Sequence, residues 1–246
     1  MIKAAPVLLS RKNNGNRKDC RRKGTGYTES ITMKHLAIIM DGNGRYAELK
    51  GFERSKGHEA GAIAFEKACR DFATLPLDVL TVYAFSTENN SRPKEEVSNI
   101  LSVIAYFLEK RIYPFAAENG INVRFIGKID ELPQNLKKTI SVAPVFEKGK
   151  TIVIAINYGG TDEICRAFKK MSENKSDFTP ENLINSLDTA GLPLPEAVLR
   201  YGGYKRLSNF MPVQTVYSEL FFTDKYWPEY EREDFCKVIN DFEKIK

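Results

Sequence analysis

From residue 33 onward, short apolar runs rich in β-branched residues alternate with longer segments of helical periodicity. The apolar runs are His35–Met40, Val79–Phe85, Ile121–Gly127, Thr151–Asn157, Ala197–Arg200 and Val216–Phe222. Strands that alternate with helices indicate βαβ units, and strands this apolar are typical of sheets covered on both faces. We therefore predict one α/β domain with a six-stranded, mainly parallel sheet flanked by helices, and 246 residues are enough to give it a core.

Helices are predicted from spacing, caps and breakers. Residues 58–73 carry apolar side chains on one side, and Pro93 is typical of a first helical residue. One apolar stripe continues from Pro93 to Asn119-Gly120, which predicts a single helix about 39 Å long. Further helices are predicted at Leu132–Val142, from Asp162, from Thr179-Pro180-Glu181 and at Glu231–Phe242.

Basic residues are concentrated before this domain. Residues 1–34 contain nine Lys and Arg but two acidic residues, so the rest of the chain is slightly negative although the whole chain carries +5. Residues 1–32 are polar with little to bury, which predicts a disordered basic extension; an arm that touches anionic lipid headgroups is the alternative. The near-neutral domain at 33–246 argues against nucleic acid as a partner.

The cysteines and histidines limit the classes of site and compartment. Two histidines are too few for a His-based metal cluster, and the four cysteines match neither a zinc nor a disulfide spacing: Cys20, Cys69, Cys165 and Cys236. The chain has no export signal and no segment of membrane-spanning length. Reduced cysteines in a chain without an export signal predict a cytoplasmic protein.

A Gly-rich turn follows the first predicted strand. A strand, a Gly-rich turn and a helix start present backbone N–H groups to an anion, and Arg and His side chains add donors suited to phosphate. A carboxylate at this place would repel a phosphate unless a divalent cation lay between them, and Mg²⁺ binds carboxylates together with substrate phosphates. A magnesium-dependent diphosphate site and a structural turn with a solvated acid are the two hypotheses. The residues concerned are Asp41, Gly42, Asn43, Gly44, Arg45, Arg54 and His58.

A second polar cluster follows the second predicted strand. Small donors precede an arginine that can bind an anion through two N–H groups: Ser86, Thr87, Asn89 and Arg92. The alternative is a capping loop, in which Asn90 or Ser91 caps the long helix.

Two more features accompany the last two predicted strands. Arg200, Arg206 and Ser208 surround a Gly-Gly turn, which suits either a phosphate or a solvated loop. Glu219 is a lone acid between apolar residues of a strand, and such an acid is paired or metal-bound unless it faces outward.

Six motifs occur in a fixed order: HLAIIMDGNGR at 35–45, GFERSKGHEAG at 51–61, YAFSTEN at 83–89 with SRP at 91–93, NYGG at 157–160, RLSNF at 206–210, and YSELFFT with WP at 217–228. In this order they resemble the cis-prenyltransferases of the undecaprenyl diphosphate synthase family over about residues 33–242. The resemblance implies a homodimer with an apolar tunnel in each chain. It also implies successive condensation of isopentenyl diphosphate onto an allylic diphosphate, normally farnesyl diphosphate, with each new double bond cis.

The resemblance further implies roles for single residues. It implies that Asp41 engages Mg²⁺ and assists departure of the allylic diphosphate, and that Glu219 supports the metal. Asn43 and Asn89 are implied to act with Asp41 in catalysis. Residues implied to bind the two substrates are Gly42, Gly44, Arg45, Tyr46, Arg54, His58, Ser86, Thr87, Glu88, Asn90 and Arg92, with Arg200, Arg206 and Ser208 on isopentenyl diphosphate.

A few positions depart from the pattern of the family. Tyr46 and Asn90 stand where the family usually has Trp, Tyr204 replaces an acid before Lys205, and Thr161 replaces an Arg.

The product implied is undecaprenyl diphosphate, the lipid carrier of bacterial cell-wall and peptidoglycan synthesis, with a transient membrane-surface contact for product release. A short-chain cis-prenyltransferase is an alternative, because the motifs are shared across the family. A non-catalytic partner subunit is a second alternative, which the intact Asp-Gly-Asn turn argues against. A trans-type synthase is disfavoured because its Asp-rich helical motif is absent from the sequence.

Overall fold

The strands of residues 33–245, the part of the chain that the computed structural model describes, form one sheet in which every pairing is parallel. Its order is β3-β4-β2-β1-β5-β6. The strands are β1 His35–Ile39, β2 Val79–Ser86, β3 Asn122–Ile126, β4 Thr151–Tyr158, β5 Ala197–Arg200 and β6 Glu219–Phe222. The predicted α/β domain with six strands is therefore confirmed, while the predicted extension at 1–32 lies outside the described residues.

Helices cover both faces of this sheet. They are α1 Asn43–Leu49, α2 Arg54–Thr74, α3 Lys94–Phe107, α4 Tyr113–Glu118, α5 Gln134–Ser141, α6 Gly160–Glu173, α7 Pro180–Ser186 and α8 Arg232–Ile245. Short 3₁₀ turns lie at Thr87–Ser91, Ile129–Glu131 and Trp227–Glu229. The Thr179 side chain caps α7 as predicted, accepting a hydrogen bond from the Asn182 N–H at 3.2 Å.

The predicted single helix after Pro93 is interrupted by a π-helical turn at Leu108–Ile112. Pro114 in α4 has no N–H, and its ring would clash with the carbonyl of Lys110 in a regular α-helix. The wider π turn just before Pro114 relieves this conflict. The π turn therefore changes the phase of the apolar stripe along the helical segment.

Alternate residues of β1 show how the core is divided. Leu36 and Ile38 pack on one face of the sheet with α2, α3, α4 and α8, whereas Ala37 and Ile39 pack on the other face with Phe210. All five residues of β1 are buried. A strand buried on both faces cannot alternate between apolar and polar residues, which explains the continuous apolar run in the sequence.

Two of the cysteines in the described part of the chain, Cys69 and Cys165, are free thiols, and Cys69 is buried. Among residues 33–245, no helix combines the length and the apolar character that a membrane crossing requires.

His35 is a core residue rather than a site residue. Its Nδ1 lies 2.7 Å from the Pro193 carbonyl oxygen and its Nε2 lies 2.7 Å from the Thr81 hydroxyl, and the side chain is fully buried. Burial lowers the pKa of His35 to about 4, although the Pro193 hydrogen bond acts in the opposite direction. The imidazole is therefore neutral at pH 7, with one nitrogen donating and the other accepting.

We expect His35 to make stability depend on pH. The unfolded chain binds the proton near pH 6.5 and the folded chain near pH 4, so this contribution is complete above pH 6.5 and is lost as the pH falls. Between pH 7 and pH 5 it amounts to about 2 kcal/mol in the free energy of unfolding. Urea unfolding at several pH values measures this contribution when the wild type is compared with His35→Gln, whose side chain at position 35 does not titrate. Equal pH dependence in the two proteins would contradict the prediction.

Candidate active site

The carboxyl ends of β2, β1 and β5, which are adjacent in the sheet, open into one polar cavity of about 640 Å³. In open parallel sheets, ligands bind at this end of the strands. The segments that follow the three strands therefore meet here. The predicted residues that line the cavity are Asp41, Gly42, Asn43, Gly44, Arg45, Arg54, His58, Ser86, Glu88, Asn89, Arg92, Arg200, Arg206 and Ser208.

Three predicted site residues do not line this cavity but lie next to residues that do. Tyr46 places its ring 4.8 Å from the Lys50 Nζ. The Thr87 hydroxyl donates to the Glu88 carboxylate at 3.3 Å, and the Asn90 Nδ2 donates to the Asn157 Oδ1 at 2.9 Å. Asn90 therefore ties the turn after β2 to the end of β4.

Glu219 lies at the other end of the sheet from Asp41 in the single chain. It begins β6 in register with Ala197, which in turn is in register with Leu36 of β1. Asp41 follows Leu36 by five residues, which separates the two acids by roughly 16 Å along the strand direction. The described chain does not bring Glu219 into the cavity.

Asp41 lies between two arginines. Its Oδ2 accepts a hydrogen bond from Arg200 Nη2 at 2.8 Å, and its Oδ1 accepts one from Arg45 Nη2 at 3.2 Å. The Arg200 side chain is only 4% exposed, whereas that of Asp41 is 28% exposed toward the cavity. The carboxylate compensates the buried charge of Arg200 and still presents an edge to a ligand.

Whether the cavity can bind Mg²⁺ depends on the carboxylate of Asp41. Among residues 33–245 there is no cluster of three or more His, Cys, Asp or Glu side chains that could hold a metal by itself. Mg²⁺ is commonly bound through one or two carboxylates together with substrate phosphates, and it keeps several waters. The partly exposed carboxylate of Asp41, beside Arg45 and Arg200, fits a Mg²⁺ that arrives with a diphosphate.

On the α2–α3 side of the cavity, three cationic or imidazole side chains surround Glu96. Its Oε1 lies 3.0 Å from Arg92 Nη1, 3.5 Å from His58 Nε2 and 3.8 Å from Arg54 Nε. Burial alone would raise the pKa of Glu96, but Arg92 and Arg54 hold it below its usual value. Burial lowers the pKa of His58, and Arg92 acts in the same direction, so His58 is neutral at pH 7.

Glu96 was missed by the sequence analysis. Its spacing of four residues from Arg92 is the signal that could have found it, because residues four apart face each other on a helix. Pro93 lies between them and places the helix start after Arg92, which concealed the pair.

Arg200 also organises the segment that follows β5. Its Nη1 donates to the Ser208 hydroxyl at 2.7 Å and to the Arg206 carbonyl oxygen, and Arg206 Nε donates to the same hydroxyl at 3.3 Å. The Nε of Arg200 is buried with no hydrogen-bond partner. Two guanidinium groups and a hydroxyl therefore meet on one side of the cavity, and the Arg200 Nε–H still lacks an acceptor.

Asn209 joins this segment to the turn after β2. Its Nδ2 donates to Glu88 Oε1 at 3.0 Å and to the Thr161 hydroxyl at 3.2 Å, while its Oδ1 accepts from the Thr161 N–H at 3.0 Å. Asn209 lines the cavity and was not predicted as a site residue. Thr161, which departs from the family pattern, therefore has a structural role, because it hydrogen-bonds to Asn209.

The turn after β2 both caps a helical turn and lines the cavity, the two alternatives that the sequence left open for it. The Asn89 N–H donates to the Ser86 hydroxyl at 3.2 Å, and the Ser86 N–H donates to Asn89 Oδ1 at 3.1 Å, which closes a capping box. Both residues also line the cavity. The alternative in which Asn90 or Ser91 caps the long helix is wrong, because Pro93 precedes α3 without a side-chain cap.

A narrow apolar pocket of about 70 Å³ adjoins the polar cavity. Asn43 and His58 line both spaces. Asn43 Oδ1 is buried without a hydrogen-bond partner, and His58 Nε2 has only the long contact of 3.5 Å with Glu96 Oε1. Buried polar atoms without a partner are costly, so they favour a ligand group at the junction. The apolar lining comes from α2, α3, the π turn, β4 and Trp227: Ala62, Phe65, Ile100, Val103, Ile104, Phe107, Leu108, Ile112 and Ile154.

Residues of α2, α3 and β4 line this pocket. The described residues form a pocket rather than a continuous tunnel. The enclosed tunnel stays a prediction.

Gly202 permits the close approach of Arg45 to Asp41. It has a φ of +87°, and a Cβ there would lie 2.7 Å from Arg45 Nη2 and 3.2 Å from the Asp41 Cβ. We expect Gly202→Ala to displace Arg45 and to weaken the binding of inorganic diphosphate by about tenfold or more, since misplaced binding groups lose most of their effect. Isothermal titration calorimetry measures the dissociation constant of diphosphate in the wild type and in the variant.

Gly191→Ala is the matched control. Gly191 has a similar φ of +82°, but a Cβ there would meet nothing within 4 Å, so this variant introduces the backbone strain without the collision. Equal diphosphate affinity in Gly202→Ala and Gly191→Ala would show that the contact at Gly202 is unimportant.

The family model described as "Putative undecaprenyl diphosphate synthase" matches residues 39–246. A ditrans,polycis-undecaprenyl-diphosphate synthase of Micrococcus luteus, specific for (2E,6E)-farnesyl diphosphate, is 41% identical over 220 residues, which are 85% of this chain and 88% of that protein. A tritrans,polycis-undecaprenyl-diphosphate synthase of Methanocaldococcus jannaschii, specific for geranylgeranyl diphosphate, is 40% identical over 228 residues, 86% of this chain and 80% of that protein.

Among solved structures, lavandulyl diphosphate synthase from Lavandula x intermedia, in complex with dimethylallyl diphosphate, superposes with a TM-score of 0.80. It is 26% identical, and the match covers 86% of this chain and 95% of that chain. The likeness extends over the whole α/β domain.

Proposed function

The chain belongs to the undecaprenyl diphosphate synthase family of cis-prenyltransferases, and we propose that it condenses isopentenyl diphosphate repeatedly onto farnesyl diphosphate. The product we propose is undecaprenyl diphosphate, for the cell-wall lipid carrier. One observation carries the proposal: Asp41 pairs with Arg45 and Arg200 in a cavity that has a second set of anion-binding side chains and adjoins an apolar pocket. Two diphosphates and one prenyl chain need this combination.

The allylic diphosphate is assigned to the side of Arg54, His58 and Arg92. Glu96 partly neutralises the Arg54 and Arg92 guanidinium groups and lies beside His58, and a diphosphate brings more negative charge and more acceptor oxygens than one carboxylate. The prenyl chain would then enter the adjoining apolar pocket past Asn43. As the bond between the allylic carbon and the diphosphate breaks, fixed donors stabilise the charge on the leaving group.

Isopentenyl diphosphate is assigned to Arg200, Arg206 and Ser208. The unpartnered Arg200 Nε and the converging guanidinium groups supply the donors. Binding both substrates next to each other holds the reacting carbons close, which contributes a large part of the rate enhancement of condensation reactions. Apolar walls around the allylic carbon keep water from intercepting the cation.

Asp41 is the residue that we propose to hold Mg²⁺ together with the allylic diphosphate. The metal, when bound, supplies positive charge to the departing diphosphate. Glu219 remains a prediction for a supporting role, since the single chain places it away from the cavity.

A short-chain product is the second candidate. The pocket of about 70 Å³ is small for a long polyprenyl chain, and the fold superposes well on lavandulyl diphosphate synthase. The chemistry and the diphosphate sites would be the same, and only the length of the product would differ.

The direct test combines purified protein, farnesyl diphosphate, isopentenyl diphosphate and Mg²⁺, with an EDTA control, and sizes the products by mass spectrometry. We expect a metal-dependent series that ends near undecaprenyl length. A series that stops after one or two additions would favour the short-chain function. No condensation by a folded protein would contradict the proposal.

Asp41→Asn tests the role of the carboxylate within the same assay. It keeps the shape of the side chain but removes the charge, and we expect turnover to fall by roughly 10²-fold or more while the fold is retained. Asp130→Asn, on an exposed turn, is the matched control and should retain turnover. Comparable turnover in the two variants would remove Asp41 from the proposed mechanism.

We also propose a cytoplasmic homodimer that contacts the membrane surface transiently for product release. β6 is an edge strand that exposes Leu220 and Phe222, which supports an interface between copies at this edge. Analytical ultracentrifugation should give twice the mass of 27.9 kDa, and a monomer at micromolar concentration would contradict the dimer.

A further inference from the structure

Tyr204 stands among the arginines of the cavity and has no part in the function proposed above. Its ring centroid lies 4.2 Å from the guanidinium carbon of Arg206, 4.7 Å from that of Arg45 and 5.7 Å from that of Arg200. Cations within about 6 Å of an aromatic face are attracted by its negative charge density. One ring therefore contacts all three guanidinium groups on this side of the cavity.

Arg206 depends on this ring more than the other two arginines do. Arg45 and Arg200 each pair with Asp41, whereas Arg206 has no ion pair with a carboxylate of the described residues. Its other contact is with the Ser208 hydroxyl, through Nε at 3.3 Å. The ring of Tyr204 is thus the nearest aromatic support of the Arg206 guanidinium, beside the Ser208 hydroxyl.

The ring is held by a tight turn. Gly202 and Gly203 both have positive φ, and their N–H groups donate to Lys225 and Thr223 carbonyl oxygens at 2.8 and 3.0 Å. Within residues 33–245, the Tyr204 hydroxyl makes no hydrogen bond. The face of the ring, and not its hydroxyl, therefore makes the contacts.

We propose that Tyr204 is a positioning residue that orders the three arginines for a diphosphate without neutralising them. This inference rests on the proposed function, because it assigns the arginines to isopentenyl diphosphate. A neutral ring attracts the guanidinium groups through its face without occupying their N–H donors and without adding negative charge to the one that Asp41 already supplies.

The test compares Tyr204→Leu with Tyr204→Phe in titrations with inorganic diphosphate, followed by calorimetry. Leu removes the aromatic face, and we expect its dissociation constant to rise about tenfold, which corresponds to about 1.4 kcal/mol. Phe restores the face without the hydroxyl and should restore binding to within about twofold of the wild type. Tyr106→Leu is the matched control, because Tyr106 is exposed and its recorded ring contact is with Phe107 rather than a cation.

Steady-state kinetics separates positioning from a general loss of structure. In Tyr204→Leu we expect the KM for isopentenyl diphosphate to rise about tenfold, while kcat changes less than about threefold and the melting temperature is retained. A fall in kcat together with the melting temperature, at unchanged KM, would mean that the ring only supports the fold and would overturn the inference.

The remaining outcomes separate this inference from the proposed function. Equal diphosphate affinity in wild type, Leu and Phe variants would overturn the role of Tyr204 and leave the proposed function standing. Weak binding by both variants would assign the effect to the hydroxyl and would also overturn it. Diphosphate binding that depends on the ring, in a protein that forms no prenyl product, would support the inference and refute the function. A wild type that does not bind diphosphate would refute both.

Discussion

The contact of Asp41 with Arg45 and Arg200 is the interaction on which the cavity depends. The two arginines come from α1 and from the end of β5, and in a partly buried cavity their positive charges would repel each other without a carboxylate between them. The contact is possible because β1 lies next to β5 and Gly202 leaves room for the Arg45 guanidinium. The order of the strands and the turn at Gly202 therefore bring both arginines to the carboxylate of Asp41, which compensates their charges.

Charge compensation differs between the two sides of the cavity. On the side of α2 and α3, Glu96 lies among Arg54, His58 and Arg92, so the two arginines have a counter-ion before any ligand arrives. On the side of β5, Tyr204 contacts the guanidinium groups without neutralising them. On the first side an anion must displace the Glu96 carboxylate, whereas on the second side Asp41 pairs with Arg45 and Arg200 and leaves Arg206 without a carboxylate partner among the described residues, so the two diphosphate subsites differ in character.

The sheet and most of the cavity could be predicted because they follow from local patterns. Continuous apolar runs identify buried parallel strands, and polar clusters directly after such runs must meet at the carboxyl edge. The spacing of Glu96 from Arg92 indicates one of its contacts, but its contacts with Arg54 and His58 form only in the tertiary structure. Tyr204 could not be assigned, because an aromatic ring carries no sequence signal for a cation contact. The π turn before Pro114 and the remote position of Glu219 depend on helix phase and strand register, which apolar patterns do not define.

The account is tested most directly by a crystal structure with Mg²⁺, isopentenyl diphosphate and the unreactive thiolo analogue of farnesyl diphosphate. It predicts one diphosphate on Arg54, His58 and Arg92 and the other on Arg200, Arg206 and Ser208, with the carboxylate of Asp41 and the metal between them. A diphosphate bound away from these side chains, or two ligands that bind without approaching Asp41, would contradict it.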